Sequence, residues 1–247
     1  VAGAAVLVTR AEWFVGTVTE ATMLTRTGRR LLVDVPGWPG NRPGQHLDLR
    51  LTAEDGYQAV RSYSIASFGH GQAVELAVDQ LPDGEVSPYL VEDVLVGDQL
   101  EVRGPLGGYF VWDEEQPEPV QLIAGGSGIV PLVAMARAHH AAASASPFRL
   151  LYSVRTPADA YFADELLSLA NPTFALDWVY TRETPSGWPR PAGRVTRELL
   201  AETTLPASDA PTVYVCGPTG FVEATAKALV ALGHDPQRIR TERFGGS

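Results

Sequence analysis

From Trp13 to about Val111, apolar and polar positions alternate in short runs broken by Gly, Pro and Asp: WFVGTVTEATML, RRLLVDV, QHLDLRLT, AVRSYSIAS, AVELAVD and DQLEVRG. Leu47, Leu49 and Leu51 against His46, Asp48 and Arg50 have the two-residue period of strands with one buried face. Six such runs predict a closed antiparallel barrel, because closure removes the exposed edges of an open sheet. One short helix is expected at 87–91, after the turn Pro82-Asp83-Gly84. Beyond residue 119 strand and helix alternate instead: VQLIAG, a helix over 130–142, FRLLYSV, a helix around 161–169, FALDWVY, then TVYVCG and a helix over 220–232. That order predicts a doubly wound parallel sheet with helices on both faces. The acidic, proline-bearing stretch DEEQPEP at 113–119 reads as the connector, dividing the chain into domains 1–115 and 116–247.

Composition narrows the class. With 247 residues, 45% of them hydrophobic, the chain can bury two modest cores. No apolar window reaches the roughly 18 residues of a membrane helix, and no basic segment precedes the short apolar run at the start, so a cytoplasmic protein without membrane contact is expected. The net charge of −10 argues against nucleic acid as a partner. A single cysteine, Cys216, excludes a four-cysteine iron–sulfur cluster in this chain, and no metal site is expected.

Candidate chemistry is concentrated after the strands of the second half, where open parallel sheets hold ligands. After the first of them come Gly126-x-Gly128-x-x-Pro131 and a helix N-terminus, a combination suited to a pyrophosphate. Steric demand at a sharp strand-to-helix turn is the plain alternative. The next strands end in Ser153 and Arg155, in Thr181 and Arg182, and in Cys216-Gly217-Pro218. Arginine where an acidic ribose ligand would stand suits the 2′-phosphate of NADP. Solvated surface charges are the alternative.

Five motifs in order carry a resemblance: Arg61-Ser62-Tyr63-Ser64, Gly84-Glu-Val86-Ser87-Pro-Tyr89-Leu90, the glycine loop, Cys216-Gly217-Pro218 and Glu242-Arg-Phe244. Together they resemble the ferredoxin-NADP reductase family over almost the whole chain. The resemblance implies FAD in the barrel and a nicotinamide nucleotide in the second domain. Arg61 would pair with the FAD pyrophosphate, Ser62 would belong to the same cofactor-binding strand, Tyr63 would lie against the isoalloxazine and Ser64 would bond near flavin N5. Gly84, Val86 and Ser87 would form a second site for the FAD phosphates. A strand arginine facing water, a barrel-core tyrosine and an N-cap serine are the corresponding plain readings.

In the second domain, Gly126, Gly128 and Pro131 would serve the coenzyme pyrophosphate and the approach of its nicotinamide. Arg155, Arg182 and Arg194 would serve a 2′-phosphate, so NADPH is expected over NADH. Cys216, not a nucleophile, would lie beside the nicotinamide or simply fill a strand end. Glu242 would sit near the flavin, bonding Ser64 or helping a proton reach N5, unless it is an exposed strand residue. Phe244 would cover the flavin face that nicotinamide needs, or pack between the domains. Gly245-Gly246-Ser247 would take the place of an exit toward a fused iron–sulfur domain.

The implied activity is a monomeric FAD-dependent oxidoreductase moving hydride from NADPH to FAD and electrons to a separate ferredoxin or oxygenase component. A free-flavin reductase and a non-catalytic electron-relay subunit are the rivals. Arg26, Arg29 and Arg30 would either dock an acidic ferredoxin or form a solvated loop.

Overall fold

A computed structural model describes residues 12–244. The N-terminal apolar run and the Gly245-Gly246-Ser247 exit lie outside the described residues. Strands β1 (Trp13–Met23), β2 (Gly28–Asp34), β3 (His46–Thr52), β4 (Gln58–Ser64), β5 (Ala73–Asp79) and β6 (Gln99–Leu106) pair antiparallel in the order β4-β3-β6-β1-β2-β5. A bridge from Ile65 to Leu76 joins the two outer strands and closes the barrel. Leu31, Val33, Leu47, Leu49, Leu76 and Val102 fill its interior, so the two-residue period in the sequence is the period of burial.

The second unit runs β7 (Val120–Gly125), α1 (Ile129–Ala141), β8 (Phe148–Val154), α2 (Ala163–Leu169), β9 (Phe174–Tyr180), α3 (Arg197–Thr203), β10 (Thr212–Pro218), α4 (Thr219–Ala231) and β11 (Ile239–Phe244). Its parallel sheet has the order β11-β10-β7-β8-β9. Leu122, Ala124, Tyr214 and Cys216 pack on one face with α1 and α2; Ile123, Val213 and Val215 pack on the other with α3 and α4. Two elements add to the sequence reading. The short helix expected at 87–91 is present over 87–93, with π-helical geometry at Tyr89–Asp93 in place of the regular α-helix, and the Ser87 hydroxyl accepts the Leu81 N–H at 3.0 Å, tying its start to the preceding turn. Helix α3 was not expected; its start is capped by Thr196 Oγ1, which accepts the Leu199 N–H at 3.2 Å. Among the described residues no helix is long and apolar enough to cross a membrane.

The two units are joined by apolar contact and by charge. Ala66 and Ala77 of the barrel belong to the core under α1, and Tyr214 Oη donates to Val111 O at 2.8 Å. Glu75, whose side chain is 8% exposed, meets Arg30 of β2 at 3.0 Å and Arg137 of α1 at 3.2 Å. Arg137 also donates to Ala66 O and holds Glu165 of α2. Arg29 donates to Val91 O at 3.0 Å. The basic cluster at the β1–β2 turn is therefore not one free cationic patch: Arg29 and Arg30 are engaged within the barrel, leaving Arg26 exposed.

Removing Arg137 would leave Glu75 with one cation of two. Arg137→Ala is expected to cost about 3 kcal/mol, the lower end for breaking a buried pair, since Arg30 remains. Urea denaturation would measure this, and pairing the change with Glu75→Gln should recover part of the loss.

Candidate active site

Strand ends from both units converge on a cleft of 660 Å³. The barrel contributes Arg61 to Ser64 from the end of β4, Ala77 and Asp79 from the end of β5, and the turn Gly84 to Ser87. The parallel sheet contributes Ser127, Val130, Pro218 and Glu242 to Phe244. Arg61 and Glu85 form a half-exposed ion pair, and Tyr57 Oη donates to the same carboxylate at 3.1 Å. Burial pushes the Tyr63 phenol up to about 12, so it stays protonated. Ser62 donates to Asp48 at 2.6 Å, and Asp48 also takes Arg103. The Ser64 hydroxyl is buried with no hydrogen-bond partner among the described residues. Glu242 lines the same cleft but does not bond it. Burial raises that carboxyl to about 7. Phe244 is half-buried, lining the cleft while packing on the core beneath α1.

A second pocket of 320 Å³ adjoins the cleft, sharing Asp79, Ser127 and Pro218 with it, and lies at the carboxyl ends of β7, β8 and β9. Ser153, Arg155 and Thr181 line it, as do Gly125, Gly126 and Ser127 of the glycine loop. Gly128 and Pro131 line neither cavity. Both are buried, and a β-carbon at Gly128 would overlap the Cys216 carbonyl, so this glycine lets helix α1 start against the end of β10. Gly217, at φ +148°, makes the reciprocal approach: a β-carbon there would lie 2.8 Å from Gly125 O. Pro218, just beyond, reaches both cavities.

Cys216 is fully buried and lines neither cavity. It sits in the core under α1, where burial first and then Glu242 push its thiol well up, leaving it a neutral apolar group. Arg155 has a partner that the sequence did not single out, Asp159, at 2.9 Å; that carboxylate also accepts the Thr156 N–H and hydroxyl. Arg182 and Arg194 are exposed, line neither cavity and make no ion pair among the described residues. The Gly193 N–H bonds Tyr180 O at 2.9 Å, which brings the segment of Arg194 back to the end of β9 beside Thr181. Sequence reasoning missed Asp79, Ser127, Asp159 and Tyr161. For Ser127 a signal existed, because it lies within the glycine loop that follows the end of β7, and Asp159 lies four residues after Arg155, already under scrutiny at the end of β8.

The Oxidoreductase FAD-binding domain family matches residues 16–111 and the Oxidoreductase NAD-binding domain family matches residues 122–227. The chain belongs to the ferredoxin-NADP reductase family. A glycine betaine monooxygenase reductase subunit from Chromohalobacter salexigens is 33% identical over 211 residues, 83% of this chain and 56% of that protein. An NADH-cytochrome b5 reductase 1 from Lodderomyces elongisporus is 34% identical over 197 residues, 78% of this chain and 64% of that one. Among solved structures, the cytochrome P450 reductase GcoB of Amycolatopsis superposes with a TM-score of 0.83 at 29% identity, covering 96% of this chain and 71% of GcoB. The chain thus spans little more than half to two thirds of the length of these curated relatives.

The residues of this reductase-family cleft fit FAD. An orphaned buried hydroxyl at Ser64, an aromatic face at Tyr63 and a guanidinium at Arg61 offer a polar ring edge, a ring surface and an anion their respective partners.

Glu242 gives the cleft a pH dependence of known sign. Its folded value of about 7 lies above the ordinary 4.5, so the stability linked to its proton is fully present below pH 4.5 and is lost as pH rises through 7. Glu242→Gln is therefore expected to remove a fall in melting temperature between pH 5 and about pH 8. Parallel melting curves of both proteins would show it.

Proposed function

We propose that this chain is an FAD-dependent reductase that takes hydride from NADPH, in preference to NADH, and passes electrons to a separate ferredoxin or oxygenase component. The observation that carries this reading is the pairing of two adjoining cavities, a cleft fitted to flavin and a pocket at the ends of a parallel sheet, which share Ser127, Asp79 and Pro218 in their walls. FAD, when bound, would supply the redox chemistry, taking up the two electrons of one hydride and passing them on one at a time. Arg61 holds the pyrophosphate, Ser64 donates to the polar edge of the ring, and Tyr63 and Phe244 give it aromatic contact and exclude water. Gly84, Val86 and Ser87 shape the turn beside the flavin phosphates. Glu242 stands near neutrality at physiological pH and can hold or release a proton beside the ring. The junction of the two cofactor-binding units falls in 113–119, giving domains 1–115 and 116–247.

Three arginines favour NADPH, with unequal weights. Asp159 already neutralises Arg155, so Arg182 and Arg194, near one another at the end of β9, are the main cations for a 2′-phosphate. A separate acceptor is supported by the monooxygenase reductase subunit and the P450 reductase among the similar proteins.

The purified protein should be yellow, with about one FAD per chain. Arg61→Ala should weaken FAD by roughly 10-fold, the lower end for loss of a charged hydrogen-bonding partner at a half-exposed site. Protein that stays colourless after incubation with FAD would end the proposal. For the coenzyme, Arg182→Ala combined with Arg194→Ala should raise KM for NADPH and leave that for NADH nearly unchanged in steady-state assays. Equal use of both nucleotides by the unaltered protein at low salt would show that these arginines are surface charges.

A further inference from the structure

Glu85 stands on the wall of the flavin cleft beside Arg61, the arginine that the proposed function gives to the FAD diphosphate. Both of its carboxylate oxygens are taken. Oε2 receives Arg61 Nη2 in an ion pair, and Oε1 receives the Tyr57 hydroxyl at 3.1 Å. The Tyr57 phenol is raised above its ordinary range, first by this hydrogen bond, and so stays a donor. The other terminal nitrogen of the guanidinium, Nη1, donates to Val60 O at 2.8 Å. The turn that presents Glu85 is itself tied down: the Gly84 N–H donates to Leu81 O at 2.9 Å, and the Leu81 N–H donates to Ser87 Oγ at 3.0 Å. A β-carbon at Gly84 would lie 2.8 Å from that hydroxyl, so the turn leaves Glu85 little room to choose another place.

This arrangement conflicts with an anionic ligand at Arg61. A guanidinium carries one positive charge, and Glu85 already balances it. A two-pronged grip on a phosphate draws on Nη2 whether the anion approaches the end of the guanidinium or its Nε side, and Nη2 is the nitrogen that Glu85 holds. The other charged side chains described on the cleft wall are Asp79, Glu242 and Arg243, and Arg243 meets Glu223 at 3.6 Å. A diphosphate drawn to Arg61 therefore faces a carboxylate on the same cation. Arg61 and Glu85 are each about half exposed, so their pair opens at small cost and water can receive the released carboxylate.

We infer that Glu85 is a built-in rival of the FAD diphosphate for Arg61, so that flavin enters by exchanging one anion for another and leaves as the carboxylate returns. Glu85 thereby loosens cofactor retention, and Tyr57, which holds it in place, acts in the same direction. This rests on the reading of the cleft as an FAD site.

The test titrates FAD into the full chain, freed of flavin by dialysis, and follows flavin fluorescence, with melting curves to confirm that each variant is folded. Glu85→Gln should tighten FAD by about fivefold, the upper end for an exposed ion pair, and slow its release. Tyr57→Phe should move both quantities the same way by a smaller factor. The key comparison is with Arg61→Ala: in that background Glu85→Gln should alter FAD affinity by less than about twofold, because the contested cation is gone. If Glu85 instead orients Arg61 for the phosphate, Glu85→Gln will weaken FAD, and that overturns the inference. An unchanged affinity overturns it too, leaving the pair a surface contact without bearing on flavin. So does equal tightening with and without Arg61, which reduces Glu85 to a general repulsion. Wild-type and Glu85→Gln proteins that both stay colourless with FAD would remove the parent reading instead.

Discussion

The buried carboxylate of Glu75 is the constraint on which the rest depends. It sits in β5 beneath helix α1 and needs cations from both sides, Arg30 from the barrel and Arg137 from the α/β unit. An ionised group so buried is costly unless its partners stay in place, which resists sliding of one unit over the other. Because side chains on a strand alternate, Glu75, Ala77 and Asp79 face the same way. One anchors to Arg137, the next packs into the core under α1, and the third stands at the meeting of the two cavities. A salt link at one end of β5 thus sets the distance between barrel and glycine loop at the other.

That spacing would be useless if the parallel strands ended in bulky turns. Gly128 and Gly217 remove the β-carbons that would keep the start of α1 and the end of β10 apart, and the two cavities adjoin beside Pro218, which lines both. The resulting site carries both signs of charge, with Arg155, Arg243 and the Arg61–Glu85 pair on its walls beside Asp79, Asp159 and Glu242. Each is accounted for differently. Asp159 is taken up by Arg155 and by its own turn, and burial draws a proton to Glu242 near neutral pH. Asp79 is held by Thr27, whose hydroxyl donates to it at 2.9 Å. The N-terminus of α1 adds partial positive charge where the loop faces the pocket.

Much of this was legible in the chain. Alternation in the first half and strand–helix succession in the second are local patterns, imposed by water on any segment with one buried face, and they specified both sheets. The positions of Arg61 to Ser64, Ser153, Arg155 and Thr181 on cavity walls were also readable, because residues at strand ends have few other places to go. Helix α3 was overlooked, its apolar signal being two leucines and a threonine cap.

Tertiary structure alone decided which of those residues face a ligand and which face each other. Gly128, Pro131 and Cys216 belong to the expected motifs, yet they are buried and line neither cavity, since a motif records spacing along the chain and not the direction of a side chain in the fold. Arg137 meets Glu75 across 62 residues and Thr27 meets Asp79 across 52, separations over which no local period carries information. Burial written into each segment determined the two sheets; the cavity between them exists only once buried charge and missing β-carbons have set how closely those sheets approach.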